Sequence, residues 1–191
     1  IFDHIKYPIR LQYVGRLDKD SQGLLLLTND GDLSNSIQKS VNNHEKEYRV
    51  RVNKPITDEF LTQMAAGVPI LDTVTKKCRL YKIDNYSFKI IITQGLNRQI
   101  RRMCEYFGYK VVNLKRLRVI NIRLGNLRPG EYRHLTKEEE TELRRLVERK
   151  EEVKTKREEA QPDNKNEQNV VGNKRYVSWK RETESKNKLK N

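Results

Sequence analysis

Residues 14–31 read VGRLDKDSQGLLLLTNDG, and the fold depends on how this stretch is arranged. Four consecutive leucines and a threonine follow a glycine, and such an unbroken apolar run favours a short strand buried on both faces over a helix. The Asn-Asp-Gly step after it predicts a turn. Asp18 precedes the strand, where its carboxylate is either a turn residue paired with Arg16 or a functional group. The stretch by itself leaves both interpretations open.

The size and charge of the chain narrow its fold and its partners. The 191 residues, 35% of them hydrophobic, suffice for one packed domain with one main core but hardly for two. Basic residues outnumber acidic residues by 28 to 18 in residues 1–149 and by 12 to 8 in residues 150–191. This excess favours a polyanionic partner, because neutralised phosphates release counterions. A merely basic, solvated surface is the alternative.

The sequence gives little support to a metal-binding, a disulfide-stabilised or a membrane-spanning protein. Cys78 and Cys104 form no CxxC pair, and the three histidines lack ligand spacing. No apolar run approaches the roughly 18 residues of a spanning helix, and no signal peptide opens the chain. We therefore expect a cytoplasmic monomer without a metal or a membrane contact. Because the chain begins at Ile1 and not at Met, we also expect a fragment of a longer molecule.

One strand is clear from strict alternation of residue types. Tyr48, Val50 and Val52 alternate with Arg49 and Arg51. Side chains of a strand point to opposite faces in turn. The pattern predicts a half-exposed strand with a basic outer face.

Caps and turns predict three further elements. Asp32 or Ser34 is expected to cap a short helix, and Thr57 is expected to cap a second one. Residues 77–83 and 86–93 flank an Asp-Asn turn, which predicts a hairpin.

Residues 95–108, GLNRQIRRMCEYFG, predict an amphipathic helix. Its apolar stripe consists of Ile100, Met103, Cys104 and Phe107. Arg98, Arg101 and Arg102 lie outside the stripe, and a solvated basic face is the usual explanation of such arginines. Arg101 lies at the border of the stripe, so its side chain can be partly buried and pair with a carboxylate. Asn97 is a candidate cap.

The remainder predicts a strand region, a helix and a tail. Residues 111–124 form a basic strand region, and Thr136 with Glu139 forms a capping box for a final helix. From residue 150 onward the sequence is polar and aperiodic, which predicts a disordered basic tail. Strands and helices mix without regular βαβ alternation, so we expect an α+β fold with a mixed, largely antiparallel sheet and flanking helices over residues 1–149.

Four motifs in this order resemble those of the RNA pseudouridine synthases that modify the small and large ribosomal subunits. They are G-R-L-D with a Gly-Leu-rich strand and T-N-D-G at residues 15–31, K-x-Y at 46–48, R-Q-I-R-R-M at 98–103, and L-x-R-x-x-V at 114–119. Each motif alone is weak, but the four together are specific. The likeness covers roughly residues 1–145 and is strongest to a member that acts on 23S ribosomal RNA.

The resemblance implies a pseudouridine synthase catalytic fold that isomerises a uridine in RNA without a cofactor. The expected substrate is 23S ribosomal RNA, with tRNA as a further candidate. Asp18 matches the catalytic aspartate, Arg101 its arginine partner, and Tyr48 the tyrosine that stacks on the flipped base. Leu114 matches a leucine that lines the base pocket. The other expected substrate-binding residues are basic, namely Arg16, Lys46, Arg98, Arg102 and Arg116.

Each matched side chain also has a structural explanation. Asp18 can be a turn residue, Tyr48 can be ordinary strand packing, and Arg101 can be a scaffold ion pair. A non-catalytic RNA-binding or ribosome-associated module on the same fold is the alternative function. The three residues together favour the isomerase, because RNA binding needs no carboxylate that faces phosphates. Related enzymes commonly begin with an S4-type RNA-binding domain and a strand with an Asn-Lys-Pro step, and we expect that part to be absent.

Overall fold

The computed structural model describes residue 5, residues 7–39 and residues 42–159, with side chains up to residue 148. Ten strands and four helices are bounded within these residues. The strands are β1 (Gln12–Val14), β2 (Gln22–Gly23), β3 (Leu26–Thr28), β4 (Lys46–Val52), β5 (Pro69–Ile70), β6 (Thr73–Val74), β7 (Arg79–Asp84), β8 (Ser87–Ile92), β9 (Val111–Val119) and β10 (Ile122–Arg123). The helices are α1 (Gly31–Gln38), α2 (Asp58–Ala66), α3 (Gln99–Tyr106) and α4 (Lys137–Glu159).

A mixed, mostly antiparallel sheet forms the centre, which confirms the predicted α+β class. Its strand order is β10-β9-β4-β8-β7, with antiparallel neighbours throughout, and β2 adds a parallel pairing on β9. The predicted hairpin is β7 with β8. Strands β1 and β3 pair separately, as do β5 and β6. Strand β9 therefore pairs with β2 and β4, which precede it in the chain, and with β10, which follows it.

Two hydrophobic clusters stabilise the fold, so the single main core expected from chain length is wrong. The first cluster packs α2 and α3 on the central sheet and includes Phe60, Met64, Phe88, Ile90 and Met103. The second cluster packs α1 and α4 around β1 and β10 and includes Val14, Ile37, Ile122, Leu143 and Val147. Strand β9 contributes Leu114 to the first cluster and Val119 to the second.

The leucine run does not form the single strand predicted for it. Strand β2 ends at Gly23 on β9, and the chain then leaves the central sheet so that β3 pairs with β1. Leu24 and Leu26 are buried, while the leucines that follow each of them are only partly buried. The prediction was wrong because the run changes its pairing partner at Gly23, where φ is +111°.

The helix starts and ends agree with the sequence except at three places, namely the caps of α1 and α3 and the end of α4. Thr57 caps α2 through the N–H of Phe60 at 3.1 Å, as predicted. The cap of α1 is Asp30 and not Asp32 or Ser34, because the helix already begins at Gly31 and the Asp30 carboxylate accepts the N–H of Leu33 at 2.9 Å.

Helix α4 has the predicted capping box but is longer than expected. The N–H of Glu139 donates to the Thr136 hydroxyl at 3.1 Å, and the N–H of Thr136 donates to the Glu139 carboxylate at 3.0 Å. The helix continues through residues 150–159, past the predicted boundary at residue 149, because this segment consists mainly of Lys, Glu and Arg without Gly or Pro. The rest of the predicted tail, residues 160–191, lies outside the described residues.

Candidate active site

Asp18 lies in the middle of the connection between β1 and β2, here called the Asp18 loop (residues 15–21). Its side chain is half-buried. The loop turns tightly, because the N–H of Ser21 donates to the Asp18 carbonyl at 2.9 Å. A carboxylate is thus presented from a compact turn at the edge of the central sheet.

Two buried arginines hold the Asp18 loop by its main chain. Nη1 of Arg116 donates to the Arg16 carbonyl at 3.4 Å, and its Nε donates to the Leu24 carbonyl at 2.7 Å. Nη2 of Arg101 donates to the Asp20 carbonyl at 2.7 Å. The held carbonyls of Arg16 and Asp20 lie two residues before and two residues after Asp18. We call this arrangement the arginine clamp.

The predicted ion pair between Asp18 and Arg101 is not formed in the described residues. Arg101 instead lies 3.4 Å from the carboxylate of Asp20, measured between Nη2 and Oδ2. The prediction chose the wrong partner because Arg101 is only 6% exposed, and its guanidinium reaches the main chain of the loop at the Asp20 carbonyl, two residues beyond Asp18. The pairing of Asp18 with Arg16, the structural alternative, is likewise not formed in this part of the chain.

Asp20 is the acidic partner of Arg101 in α3 and of Arg98, the residue that precedes this helix. Nη1 and Nη2 of Arg98 donate to its two carboxylate oxygens at 3.0 and 3.1 Å. These hydrogen bonds, helped by the charge of Arg101, lower the pKa of Asp20 to about 2. The hydrogen bond to Asp20 also raises the pKa of Arg98, and the negative charge of Asp18 adds to that rise. Asp18 therefore lies within electrostatic range of Arg98.

Tyr48 reaches the same part of the sheet through strand register. It lies opposite Arg116 on β9 and opposite Ile90 on β8. Its ring is partly buried against the first cluster. Arg116 is thus the cross-strand neighbour of Tyr48 and also donates to the Arg16 carbonyl, so it links the tyrosine strand to the Asp18 loop. A direct approach of Tyr48 to Asp18 stays a prediction.

Leu114 lies two residues before Arg116 on β9, opposite Val50 of β4. It is 5% exposed and belongs to the first cluster. Its position beside the tyrosine strand is compatible with a pocket floor, and its contact with a base stays a prediction.

The other expected basic residues take different positions. Arg16 is exposed in the Asp18 loop, and Lys46 begins β4 opposite Ile92 and Val119. Arg102 donates to the carbonyl and side-chain oxygens of Asn97, at 3.1 and 3.2 Å.

The expected cap of α3 is also different. The N-cap residue is Arg98 and not Asn97, and Arg98 has left-handed backbone angles with φ +48°. The side-chain oxygen of Asn97 accepts a hydrogen bond from the Arg102 guanidinium. The Arg98 side chain makes no capping hydrogen bond.

Sequence reasoning missed two acidic residues near the site. Asp20 stands in the same DKDS step as Asp18, but no pattern distinguishes it. Buried Glu47 accepts from Nε of Arg118 at 3.2 Å, where the β4–β9 register is irregular between Glu47 and Tyr48. The only sequence signal was an acidic residue on the otherwise basic face of β4. This ion pair fixes the strand at the residue before Tyr48.

Other chemistries find no support among the residues that the structure describes. Burial raises the pKa of Cys78 to about 11 and that of Cys104 to about 12, so both remain thiols at neutral pH. In residues 5, 7–39 and 42–159, no group of three His, Cys, Asp or Glu side chains is placed to hold a metal ion. No helix of this part of the chain is long and apolar enough to cross a membrane.

Known proteins with similar sequences and folds point to one family. Residues 4–106 match the family model described as RNA pseudouridylate synthase. The dual-specificity RNA pseudouridine synthase RluF of Salmonella typhi is 56% identical over 148 residues, which cover 78% of this chain and 51% of the relative. RluF of Escherichia coli O6:H1 is 51% identical over 177 residues, which cover 93% of this chain and 59% of the relative.

A solved structure gives the same answer for the fold. The crystal structure of a pseudouridylate synthase has a TM-score of 0.71 and 33% identity, over 76% of this chain and 64% of that chain. The chain spans about half to three fifths of the length of the RluF relatives that it matches.

Proposed function

We propose, since the chain belongs to the RNA pseudouridylate synthase family, that it converts a uridine in RNA to pseudouridine. The proposed substrate is 23S ribosomal RNA. Transfer RNA is a second candidate, because the similar RluF proteins are named as dual-specificity enzymes. In the reaction the N1–C1′ bond of the uridine breaks, a C5–C1′ bond forms, and the C5 proton is replaced by a proton on N1. The product is an isomer of the substrate, so the reaction needs no redox or group-transfer cofactor.

The arginine clamp is the observation that supports this proposal. An RNA-closed site excludes water, and positive charge beside an ionised carboxylate then stabilises that carboxylate. Arg101 and Arg116 bring two buried cations to the loop of Asp18 and fix its main chain on both sides. Asp18 acts on the ribose of the target nucleotide while the base detaches, turns and rejoins.

Tyr48 and the exposed arginines complete the proposed site. A uridine in a loop or bulge is extruded from its stack, and an aromatic ring is a suitable platform for the flipped base. Tyr48 supplies this ring and can exchange the C5 proton through its hydroxyl. Arg16 and Arg98 are exposed beside Asp18 and contact the RNA backbone.

A non-catalytic RNA-binding module on the same fold is the second candidate function. The observation that favours it is the pairing of Arg101 with Asp20 where the isomerase hypothesis expects Asp18. A module that only binds RNA has no need of the clamp around Asp18, and for this reason we prefer the isomerase.

Tritium release from RNA labelled at uridine C5 tests the proposal. The wild-type protein should release tritium from a 23S ribosomal RNA transcript, and Asp18→Asn should bind the same RNA while its release falls by at least about 10³-fold. Asp58→Asn, which removes an exposed charge on α2, is the matched control and should release tritium normally.

Two outcomes would contradict the proposal in different ways. Equal release by the wild type and Asp18→Asn would remove Asp18 from the chemistry. RNA binding by both proteins without release by either would favour the binding module.

The proposal extends to assembly and location. We propose that the protein is a monomer, which sedimentation in the presence and absence of RNA tests. We also propose a cytoplasmic location, because a bacterial ribosomal RNA substrate is transcribed there.

A further inference from the structure

The ion pair of Asp20 with Arg98 lies at the exposed end of the Asp18 loop. Two parallel hydrogen bonds join the guanidinium to the carboxylate, at 3.0 and 3.1 Å. A guanidinium binds phosphate with the same two-bond geometry. Asp20 therefore occupies a position in which Arg98 can hold a phosphodiester.

Arg98 is much more exposed to solvent than the neighbouring Arg101. The side chains of Arg98 and Asp20 are 40% and 50% exposed, whereas that of Arg101 is 7% exposed. Exposed ion pairs add little net stability, so an RNA phosphate can replace the carboxylate at small cost. Arg101 holds Asp20 through its main-chain carbonyl at 2.7 Å, so the loop keeps its anchor when the carboxylate leaves.

The backbone next to Arg98 also favours an anion. Arg98 is the N-cap residue of α3, and its side chain makes no capping hydrogen bond. The amino end of a helix carries partial positive charge that attracts phosphates. Both arginines that face the Asp20 carboxylate come from this end of α3.

We propose that Arg98 binds a phosphate of the substrate RNA in exchange for the carboxylate of Asp20, which occupies this position in the RNA-free protein. The proposal rests on the proposed function, since the substrate RNA provides the phosphate. Asp20 then acts as a competitor for Arg98, because RNA gains this contact only by reaching the Asp18 loop and displacing it. The competition therefore lowers the affinity of RNA that contacts Arg98, by the free energy needed to break the exposed ion pair, and does not affect RNA that is bound elsewhere on the basic surface.

Removal of the Asp20 charge tests the exchange. Asparagine keeps the size of the side chain and one oxygen acceptor, so Asp20→Asn should fold normally, as a thermal melt verifies. Its affinity for an unmodified 23S ribosomal RNA transcript should rise about two- to fivefold at moderate salt, because the exposed ion pair no longer has to be broken. Arg98→Gln should weaken binding and reduce the slope of log K against log salt by about 0.7, the share of one phosphate contact on single-stranded RNA.

The double variant makes the test specific to Arg98. Asp20→Asn should give no gain in the Arg98→Gln background, because the remaining partner of the Asp20 carboxylate, Arg101, is buried and cannot take an RNA phosphate. Asp72→Asn removes the same charge from the exposed β5–β6 turn, where asparagine suits the positive φ, and should leave the affinity unchanged.

The affinity measurements test the exchange at Arg98, and the tritium assay tests the isomerase function, so either proposal can be contradicted without the other. If the wild-type protein released no tritium, the proposed function would be wrong, but the measured RNA affinities would still test the exchange at Arg98. An unchanged or weaker affinity of Asp20→Asn, or an equal gain in both backgrounds, would overturn the exchange.

Discussion

Arg101 shows how a single side chain can organise the proposed site through the main chain. Its guanidinium donates to the Asp20 carbonyl and, at 3.3 Å, to the Val111 carbonyl at the start of β9. One residue thus ties the Asp18 loop to α3 and to the central sheet. The position of Asp18 depends on this planar, forked group, which lysine cannot imitate.

Arg101→Lys is therefore expected to keep the charge and lose the clamp. Single-turnover tritium release should slow by about 10²-fold, since a displacement of about 1 Å can cost that much, while RNA affinity should change less than about threefold because the charge is retained. Arg145→Lys, on the exposed face of α4 and paired with Glu142, is the matched control. Full activity of Arg101→Lys in a folded protein would show that charge alone suffices.

The motifs predict that Asp18, Tyr48 and Arg101 form one site, and this stays a prediction. The hydrogen bonds of Arg101 and Arg116 tie their elements to the Asp18 loop. The partner of Arg101 could not be derived from the sequence, because Asp18 and Asp20 lie two residues apart in one loop. Which oxygen a buried guanidinium meets depends on loop geometry that no residue pattern encodes.

At the scale of elements, the meeting of β2 and β9 controls the loop. Gly23 pairs with Arg116 in parallel register, and the Leu24 N–H donates to the Arg116 carbonyl at 2.9 Å. A Cβ on Gly23 would lie 2.3 Å from that carbonyl oxygen. The glycine is thus required by the close approach of two backbones as well as by its positive φ.

Gly23→Ala is expected to separate β2 from β9 and to disturb the Arg116 side of the clamp. Urea unfolding should show a loss of about 2 kcal/mol or more, the sum of backbone strain and a weakened strand contact. Gly95→Ala is the control, because no atom lies within 4 Å of the position that its new methyl group would take and its φ is not positive. A Gly23→Ala protein as stable as the control would contradict the close approach.

The leucine run shows where element prediction from the sequence stops. Its apolar character correctly indicated burial, and the alternation in β4 correctly indicated its faces, since both signals are local. The division of the run between β9 and β1 depends on the position of β9, which lies far away in the sequence. The caps of α2 and α4 were predicted correctly, because a cap acts on an N–H three residues away. The caps of α1 and α3 were not.

At the scale of the molecule, the Asp18 loop lies where the two hydrophobic clusters meet. Val14, just before the loop, belongs to the second cluster, whereas the helix that carries Arg101 packs in the first. Strand β9 contributes to both clusters. The geometry of the site therefore depends on both halves, although Asp18 and Arg101 are far apart in sequence.

This arrangement implies that the two clusters unfold together. Leu143 of α4 is 2% exposed in the second cluster, and Leu143→Ala should lower the free energy of unfolding by about 2–5 kcal/mol through lost burial and a cavity. Far-UV circular dichroism and single-turnover tritium release, measured along the same urea series, should shift to lower urea in one common transition with an unchanged m-value.

Met64→Ala, which removes a fully buried side chain of the first cluster, should shift the same transition, and Val74→Ala, at a 62% exposed side chain, should leave it in place. Strand β9 packs in both clusters. We therefore expect that loss of packing in one cluster displaces β9 and disrupts the other cluster as well. A two-step curve for Leu143→Ala, with release surviving the first step, would show instead that the second cluster unfolds separately and that the Asp18 loop does not depend on it.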